Sequence, residues 1–244
     1  MAATVSVAPV RHRWPTSIRG AIRLQERLRD RLRLTGGPRR VAVVAGADIS
    51  YDLLTGRLHA AVLNYSFPSL QRLETALIRA PICFPYVPGL LSFREAPALV
   101  QAFGRLSIRP DLLICDGQGI AHPRGIGLAS HLGLLLDLPT IGCAKSRLIG
   151  IHRTPADRRG AIAPLYHGRR RIGTVVRSRR GVRPLYVSPG HRIGIDAAAR
   201  YVLACCIGYR LPEPLRQADL TVGAARRGLP LRTSGCGARR PPSL

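Results

Sequence analysis

Two apolar segments of this chain each end at an aspartate. Residues 41–47 (VAVVAGA) precede Asp48, and residues 112–115 (LLIC) precede Asp116. Short apolar runs of this kind are typical of buried β-strands. Because burial of an unpaired carboxylate is costly, each aspartate needs a compensating partner. Two convergent aspartates that bind Mg²⁺ would supply one, since this cation prefers carboxylate oxygens.

The other patterns predict helices and strands around these two runs. With 244 residues, 46% of them hydrophobic, the chain can bury the core of one α/β domain. We expect this domain at 15–225, a flexible segment at 1–14 and a basic, disordered tail at 226–244. The predicted helices are 17–34, 70–79, one from the 85–89 loop to 106, 129–136 and a closing helix at 196–206; the further strands are 57–66, 140–144 and hairpins within 166–187.

The charge of the chain indicates a polyanionic partner. Lys and Arg number 38 against 13 Asp and Glu, which gives a formal net charge of +25. Self-repulsion of this size is tolerated when a polyanion neutralises it, so nucleic acid is the expected partner. The alternative is a composition biased toward arginine, and Lys145 is indeed the only lysine.

The sequence gives no indication of a membrane protein. The most apolar window, residues 126–144, is interrupted by His131, Asp137 and Pro139, and a membrane span needs about 18 or more apolar residues. The first ten residues lack the basic region and hydrophobic stretch of a secretory signal. We therefore expect a soluble, cytoplasmic protein.

One further acidic residue and one loop are candidates for the functional site around Asp48 and Asp116. Glu95 precedes Leu99 and Phe103 at helical spacing, so its carboxylate should face the sheet. The alternative is a capping box with Ser92, in which Glu95 binds only a backbone N–H group. Residues 116–127 are rich in glycine and could hold a phosphate or a base, although a mobile surface loop would look similar.

Several blocks, taken in order over residues 15–220, together resemble the endonuclease V family of deoxyinosine-specific nucleases. The blocks are Asp48 within AGAD, PYVPGLLSFRE at 85–95, residues 116–123, ASH at 129–131, PTIGCAKSR at 139–147 and VSPGH at 187–191. The resemblance implies a ribonuclease-H-like fold, in which a central mixed sheet is flanked by helices. It also favours a catalytic role for Glu95 over a capping role.

The activity implied by the resemblance is hydrolysis of DNA beside a deaminated adenine. Asp48 and Asp116 would bind Mg²⁺, with Mn²⁺ as a substitute, and Glu95 would complete the acidic site. The enzyme would cut the second phosphodiester bond on the 3′ side of deoxyinosine and leave a 5′-phosphate, as a step in DNA repair. A metal ion can activate water and stabilise charge on the phosphoryl oxygens.

The same resemblance implies roles for three basic residues. His191 would lie at the metal edge and orient or deprotonate water, the alternative being a loop histidine bound to backbone. Lys145 would lie near the scissile phosphate rather than on a solvated surface. His122 would either take part in catalysis or brace the glycine-rich loop.

The resemblance also implies a base-recognition site. Tyr86, in the segment Pro85, Tyr86, Val87, Pro88, would act as a wedge that replaces the stacking of an extruded base. The alternative is a tyrosine buried beneath a turn. Backbone groups near four residues would read the extruded hypoxanthine: Gly89, Leu91, Gly117 and Leu128.

Two alternative functions stay open at this point. One is an endonuclease for inosine-containing RNA, and the other is a catalytically silent nucleic-acid-binding module with the same fold. In each case we expect a monomer whose partner is nucleic acid, with DNA containing deaminated bases as the first expectation.

Overall fold

The computed structural model describes residues 12–230, and a mixed sheet of eight strands runs through them. The strands are β1 (Val43–Asp52), β2 (Arg57–Ser66), β3 (Arg72–Pro81), β4 (Leu112–Cys115), β5 (Thr140–Ala144), β6 (Ile162–His167), β7 (Arg170–Val176) and β8 (Leu185–His191). Their order across the sheet is β3-β2-β1-β4-β5-β8-β7-β6. β1, β4 and β5 run parallel, and the other neighbouring pairs are antiparallel.

Helices cover both faces of the sheet. They are α1 (Ile18–Arg29), α2 (Leu91–Phe103), α3 (Leu128–Leu136), α4 (Ile195–Ala204) and α5 (Glu213–Arg226). One face of the sheet packs on α4 and α5, the opposite face packs on α2 and α3, and α1 packs outside them against the loops. Because helices cover both faces of the sheet, the central strands carry apolar side chains on both faces and read as continuous apolar runs in the sequence. Within residues 12–230, no helix combines the length and the apolar character needed to cross a bilayer.

Alternate residues of the central strands belong to two different cores. Val44 and Ile114 pack in the cluster that includes Leu215 of α5. Ala45 and Cys115 pack in the opposite cluster, with α2 and α3. The strands at 57–66, 112–115 and 140–144 have the bounds that the sequence predicts.

The predicted helix at 70–79 is wrong, because this segment forms β3. Ala76, Ile78 and Ala80 are buried at every second position, as one face of a strand requires. The leucines, alanine and glutamate of the segment favour a helix by intrinsic propensity. Antiparallel pairing with nine residues of β2 overrides that preference.

The prediction that a helix at 196–206 closes the domain is also wrong, because α5 follows it and packs across β1. A Cβ atom at Gly46 would clash with the backbone of Pro214, so the glycine permits the close approach of α5. The predicted flexible N-terminal segment and basic tail lie largely outside the described residues. His12, from the predicted N-terminal segment, lies within the described residues, and its Nε2 is 2.8 Å from Nε2 of His131.

Candidate active site

Three carboxylates converge where β1 passes the end of β4. They belong to Asp48 on β1, Asp116 directly after β4 and Asp219 on α5, and one oxygen of each lies within 4.8 Å of the others. The parallel pairing of β1 with β4, extended by the bond from Asp116 N–H to Ala47 O (3.2 Å), brings the first two together. The two strands are neighbours, which is the condition for Asp48 and Asp116 to converge.

Asp219 reaches the site because α5 crosses the same face of β1. Gly46 and Asp48 are two residues apart on a strand, so they point to one face. Pro214 of α5 lies directly over Gly46. Asp219 is four residues after the buried Leu215, about one helical turn along α5. The helix thus carries its carboxylate along the strand to Asp48.

Lys145 follows β5 and joins this cluster. Its Nζ lies 2.6 Å from Oδ2 of Asp116 and 3.0 Å from Oδ1 of Asp219. Burial alone would lower the pKa of Lys145, but the negative charge of Asp116 and its hydrogen bond outweigh burial and raise the pKa. Lys145 is therefore a fixed ammonium group beside three carboxylates.

The electrostatics of the cluster favour a further cation. Burial, with a smaller effect from Asp116, raises the pKa of Asp48 from 3.8 to about 8. Burial also raises the pKa of Asp116, against the opposing effect of Lys145. One ammonium group does not balance three carboxylates. Because all three ligands are oxygens, the set suits a hard divalent cation such as Mg²⁺ or Mn²⁺.

Glu95 lies on the other side of the sheet from Asp219, on α2. Its Oε1 accepts a hydrogen bond of 2.7 Å from the hydroxyl group of Tyr51 on β1. Burial raises the pKa of Glu95 to about 7, with a further contribution from the charge of Asp116 and an opposing one from the Tyr51 bond. Glu95 thus approaches the acidic site without joining the three carboxylates that could share one cation.

The capping role considered for Glu95 is wrong. The N-cap residue of α2 is Leu90, and no side chain forms a capping hydrogen bond there. The structure instead places the buried carboxylate against the hydroxyl group of Tyr51. Burial of this kind is typical of an acid with a function.

His191 does not lie at the acidic site, contrary to the expectation from the resemblance. It pairs with Thr140 at the start of β5, whereas Lys145 follows the end of that strand. Four strand residues separate the two ends by roughly 13 Å. Nδ1 of His191 accepts a hydrogen bond from Arg33 N–H (3.2 Å), and Nε2 lies 3.8 Å from Oδ1 of Asp137. The alternative of a histidine bound to backbone describes it better.

Sequence reasoning missed Asp219, although a signal was present. Leu215, Ala218 and Val222 are buried at helical spacing, and prolines precede them at 212 and 214. This combination is typical of the start of an amphipathic helix. Asp219 lies on the side of this helix that faces the protein, where an acid needs a reason as much as one at the end of a strand.

A cavity of about 150 Å³ lies beside the acidic site. Cavities of about this size accept a single aromatic ring. Its lining includes most residues that the resemblance assigned to base recognition, but neither Pro85 nor Gly117 is among the described lining residues. The lining consists of Gln25, Tyr86, Val87, Pro88, Gly89, Leu91, Ser92, Gln118, His122, Gly127, Leu128 and Leu148.

Tyr86 stands at the mouth of this cavity and is 71% exposed. The buried alternative for this side chain is therefore wrong. Its neighbours Pro85 and Pro88 restrict the backbone, since proline fixes φ. The geometry fits an aromatic side chain held ready on a stiff loop.

His122 connects two loops of the cavity. One ring nitrogen, Nδ1, accepts a hydrogen bond from Arg124 N–H (3.2 Å), so the proton lies on Nε2, which is 3.0 Å from the carbonyl oxygen of Gly89. Burial, with the charge of Arg124, lowers the pKa of His122 to about 4. A neutral histidine with both nitrogens engaged braces the loops, as one of its two predicted roles requires.

Comparison with known proteins places this geometry in one family. The family model for endonuclease V matches residues 26–220. Endonuclease V of Alkalilimnicola ehrlichii is 52% identical over 215 residues, which cover 87% of this chain and 94% of that protein. The crystal structure of endonuclease V from Streptomyces avermitilis is 38% identical with a TM-score of 0.84, over 93% of this chain and 99% of that one.

A second similar structure contains nucleic acid. Ciona intestinalis endonuclease V, in complex with a 24mer DNA containing an inosine followed by a ribo-adenosine, is 25% identical to this chain with a TM-score of 0.76. The match covers 86% of this chain and 98% of that one. The mixed sheet flanked by helices is thus the ribonuclease-H-like fold that these nucleases share.

Proposed function

Because the chain belongs to the endonuclease V family and is therefore a nuclease, we propose that it is a Mg²⁺-dependent endonuclease that recognises deoxyinosine in DNA and acts in DNA repair. The observation that carries this proposal is the convergence of Asp48, Asp116 and Asp219 within 4.8 Å, beside a cavity with an exposed tyrosine at its mouth. The inosine-containing DNA in complex with the Ciona relative supports this choice of ligand.

The three aspartates would hold the divalent cation. A bound Mg²⁺ would supply Lewis-acid stabilisation of the phosphoryl oxygens and a more acidic water molecule. Burial, with a smaller effect from neighbouring carboxylates, raises the pKa values of Asp48 and Asp116, so their ionised forms are unfavourable in the free protein. A bound cation would offset that cost.

Two further residues of the chain would move or balance charge. Glu95, with a pKa of about 7, is suited to accept a proton from the attacking water, because a general base works best when its pKa is near the operating pH. Tyr51 holds the carboxylate in place. Lys145 would donate hydrogen bonds to phosphate oxygens once the cation neutralises its carboxylate partners.

The cavity would hold the extruded base, with Tyr86 inserted in its place in the stack. Gly89, Leu91 and Leu128 lie in the lining, and the first turn of a helix such as α2 offers N–H donors without intrahelical partners. Asp116 and Gln118 are two residues apart, at most about 7 Å along an extended chain. The scissile bond would therefore be offset from the extruded nucleotide, in keeping with a cut at the second phosphodiester bond on its 3′ side.

The test is cleavage of matched oligonucleotides. DNA with one deoxyinosine, the same DNA with adenine, and an RNA strand with one inosine are each incubated with and without Mg²⁺, and the products are mapped to the nucleotide. We expect cleavage of the deoxyinosine strand alone or in preference, only with the metal, one nucleotide beyond the lesion and with a 5′-phosphate. Cleavage of RNA alone would make the protein an endoribonuclease, and tight binding without cleavage would make it a silent binding module.

A further inference from the structure

The backbone carbonyl of Gly89, a residue that lines the cavity, accepts hydrogen bonds from three side chains. The oxygen of Gly89 lies 3.0 Å from Nε2 of Gln25, 3.0 Å from Nε2 of His122 and 2.6 Å from Nη2 of Arg124. A carbonyl oxygen has two lone pairs and commonly accepts one or two bonds. Three donors from two separate parts of the chain indicate that the position of this oxygen is strongly constrained.

Gln25 is at the centre of the network. It is a polar residue of α1 with 1% exposure. Its Nε2 donates also to the carbonyl oxygen of Ile126 at 3.3 Å, and its Oε1 accepts from Nε of Arg124 at 2.5 Å. The nitrogen and the oxygen of the Gln25 amide therefore both form hydrogen bonds. These bonds join α1 to two segments that line the cavity, the loop that contains Gly89 and the loop that precedes α3.

The residue that receives these bonds must be glycine. Gly89 has φ +78°, in the left-handed region, and a Cβ atom there would lie 2.7 Å from Nη2 of Arg124. The N–H group of Leu90, on the other side of the same peptide, donates to the carbonyl oxygen of Val87 at 2.9 Å. This peptide is therefore fixed at both its oxygen and its nitrogen.

We propose that Gln25 and Arg124 are positioning residues, which fix the Gly89 peptide so that the neighbouring backbone groups meet the extruded base at one geometry. The inference rests on the proposed function for the identity of the base. Neither residue needs to touch the reacting phosphate. A wall made of backbone can discriminate between bases only if it does not adapt to each of them, and these two side chains supply that rigidity.

Two variants test this proposal. Gln25→Glu keeps the shape of the side chain and the bond from Arg124, but it replaces the amide donor to Gly89 by an oxygen. Arg124→Lys keeps the positive charge that attracts phosphates but loses the fork that bonds Gln25 and Gly89 together. Gln101→Glu, on the exposed side of α2, is the matched control for the added charge.

The first measurement needs no substrate. Amide hydrogen exchange of a peptide over residues 85–92 should be about tenfold faster in Gln25→Glu and Arg124→Lys than in the wild type and Gln101→Glu, because loss of one buried hydrogen bond is worth about 1 kcal/mol or somewhat more. Unchanged exchange in both variants, with thermal unfolding like that of the wild type, would overturn the proposal. This result is independent of what the protein cleaves.

The second measurement compares metal-free binding of three DNA strands that differ at one position, which carries inosine, adenine or an abasic analogue. We expect the preference for inosine over the abasic strand to fall about tenfold in both variants, while affinity for the abasic strand is unchanged. An equal loss for all three strands would indicate a general structural role and contradict the proposal. If the wild type itself shows no preference for inosine, the proposed function fails. Hydrogen exchange alone then decides whether Gln25 and Arg124 fix the Gly89 peptide.

Discussion

Removal of one acidic charge should stabilise this protein while it abolishes activity. Asp48 has its pKa raised from 3.8 to about 8, first by burial and then by Asp116. In the metal-free protein the ionised carboxylate is therefore unfavourable in the folded state. Asp48→Asn keeps the shape of the side chain, and its oxygen can still accept the 2.8 Å hydrogen bond from Ile49 N–H. The substitution removes only the charge.

The size of the gain follows from the pKa. Each pKa unit corresponds to about 1.4 kcal/mol, so a rise of about four units sets an upper limit of roughly 5–6 kcal/mol at pH 8. Partial exposure of Asp48 reduces this value. We expect Asp48→Asn to raise the free energy of unfolding by about 4 kcal/mol at pH 8, which is about 8–16 °C in Tm for a domain of this size.

The pH dependence of stability checks the sign of the predicted change in the free energy of unfolding. Between pH 4 and 8 the folded wild type holds a proton on Asp48 that the unfolded chain releases, so its stability falls as pH rises toward 8. The gain from Asp48→Asn should therefore be larger at pH 8 than at pH 6.5, by up to about 1 kcal/mol. Below pH 6.5, His122 and His131, whose pKa values are lowered to about 4 and about 3 mainly by burial, would add an opposite effect.

The assay is thermal unfolding in EDTA at pH 6.5 and pH 8, with Asp52→Asn as the control on the same strand. Asp52 is exposed and accepts a hydrogen bond from Thr55, so loss of its charge should give no gain. Added Mg²⁺ should raise the Tm of the wild type and leave that of Asp48→Asn unchanged. A variant that is no more stable than the wild type at pH 8, or an equal gain in Asp52→Asn, would refute the electrostatic reasoning.

Three further substitutions separate the roles of the site residues. Asp219→Asn should reduce cleavage by at least 100-fold and weaken the Mg²⁺ dependence of Tm, while salt-sensitive DNA binding persists; a loss of binding equal to the loss of cleavage would contradict this. Tyr86→Ala should lower the preference for inosine over adenine by about tenfold, since stacking on an aromatic is worth roughly 1–3 kcal/mol, and an unchanged preference would exclude the wedge role. His191→Gln should retain cleavage within a few fold when compared at matched Tm, because the residue lies at the far end of β5, and a loss like that of Asp219→Asn would place it back in the reaction.

The strands beside the acidic site could be predicted from sequence because burial leaves a strong local signal. The runs before Asp48 and Asp116 are apolar on both faces, and helices do cover both faces. The segment that became β3 carries no such signal, since its leucines and alanine suit a helix equally well. Its pairing with β2 at the edge of the sheet decides the outcome, and local sequence does not encode that contact.

The sequence predicts that carboxylates form a cation site, but it does not predict all the residues that belong to the site. Asp48 and Asp116 follow from the ends of apolar runs, whereas Asp219 depends on where α5 crosses the sheet. Glu95 and Asp219 come from helices on opposite faces of the sheet, so they approach Asp48 and Asp116 from different directions. Only the three-dimensional arrangement decides which of the two acids joins the aspartates, and it favours Asp219.

Gly46 shows why one small residue controls this choice. It lies two positions before Asp48, and its missing side chain is what allows the backbone of Pro214 to rest on β1. With any larger residue, α5 would have to move away from the strand, and Asp219 would move with it, because the two lie on one rigid helix. The oxygens of three side chains within 4.8 Å leave little tolerance for such a shift. A glycine that sequence analysis treats as part of a strand is therefore a requirement for the cation site, and the fold and the chemistry are specified at the same position.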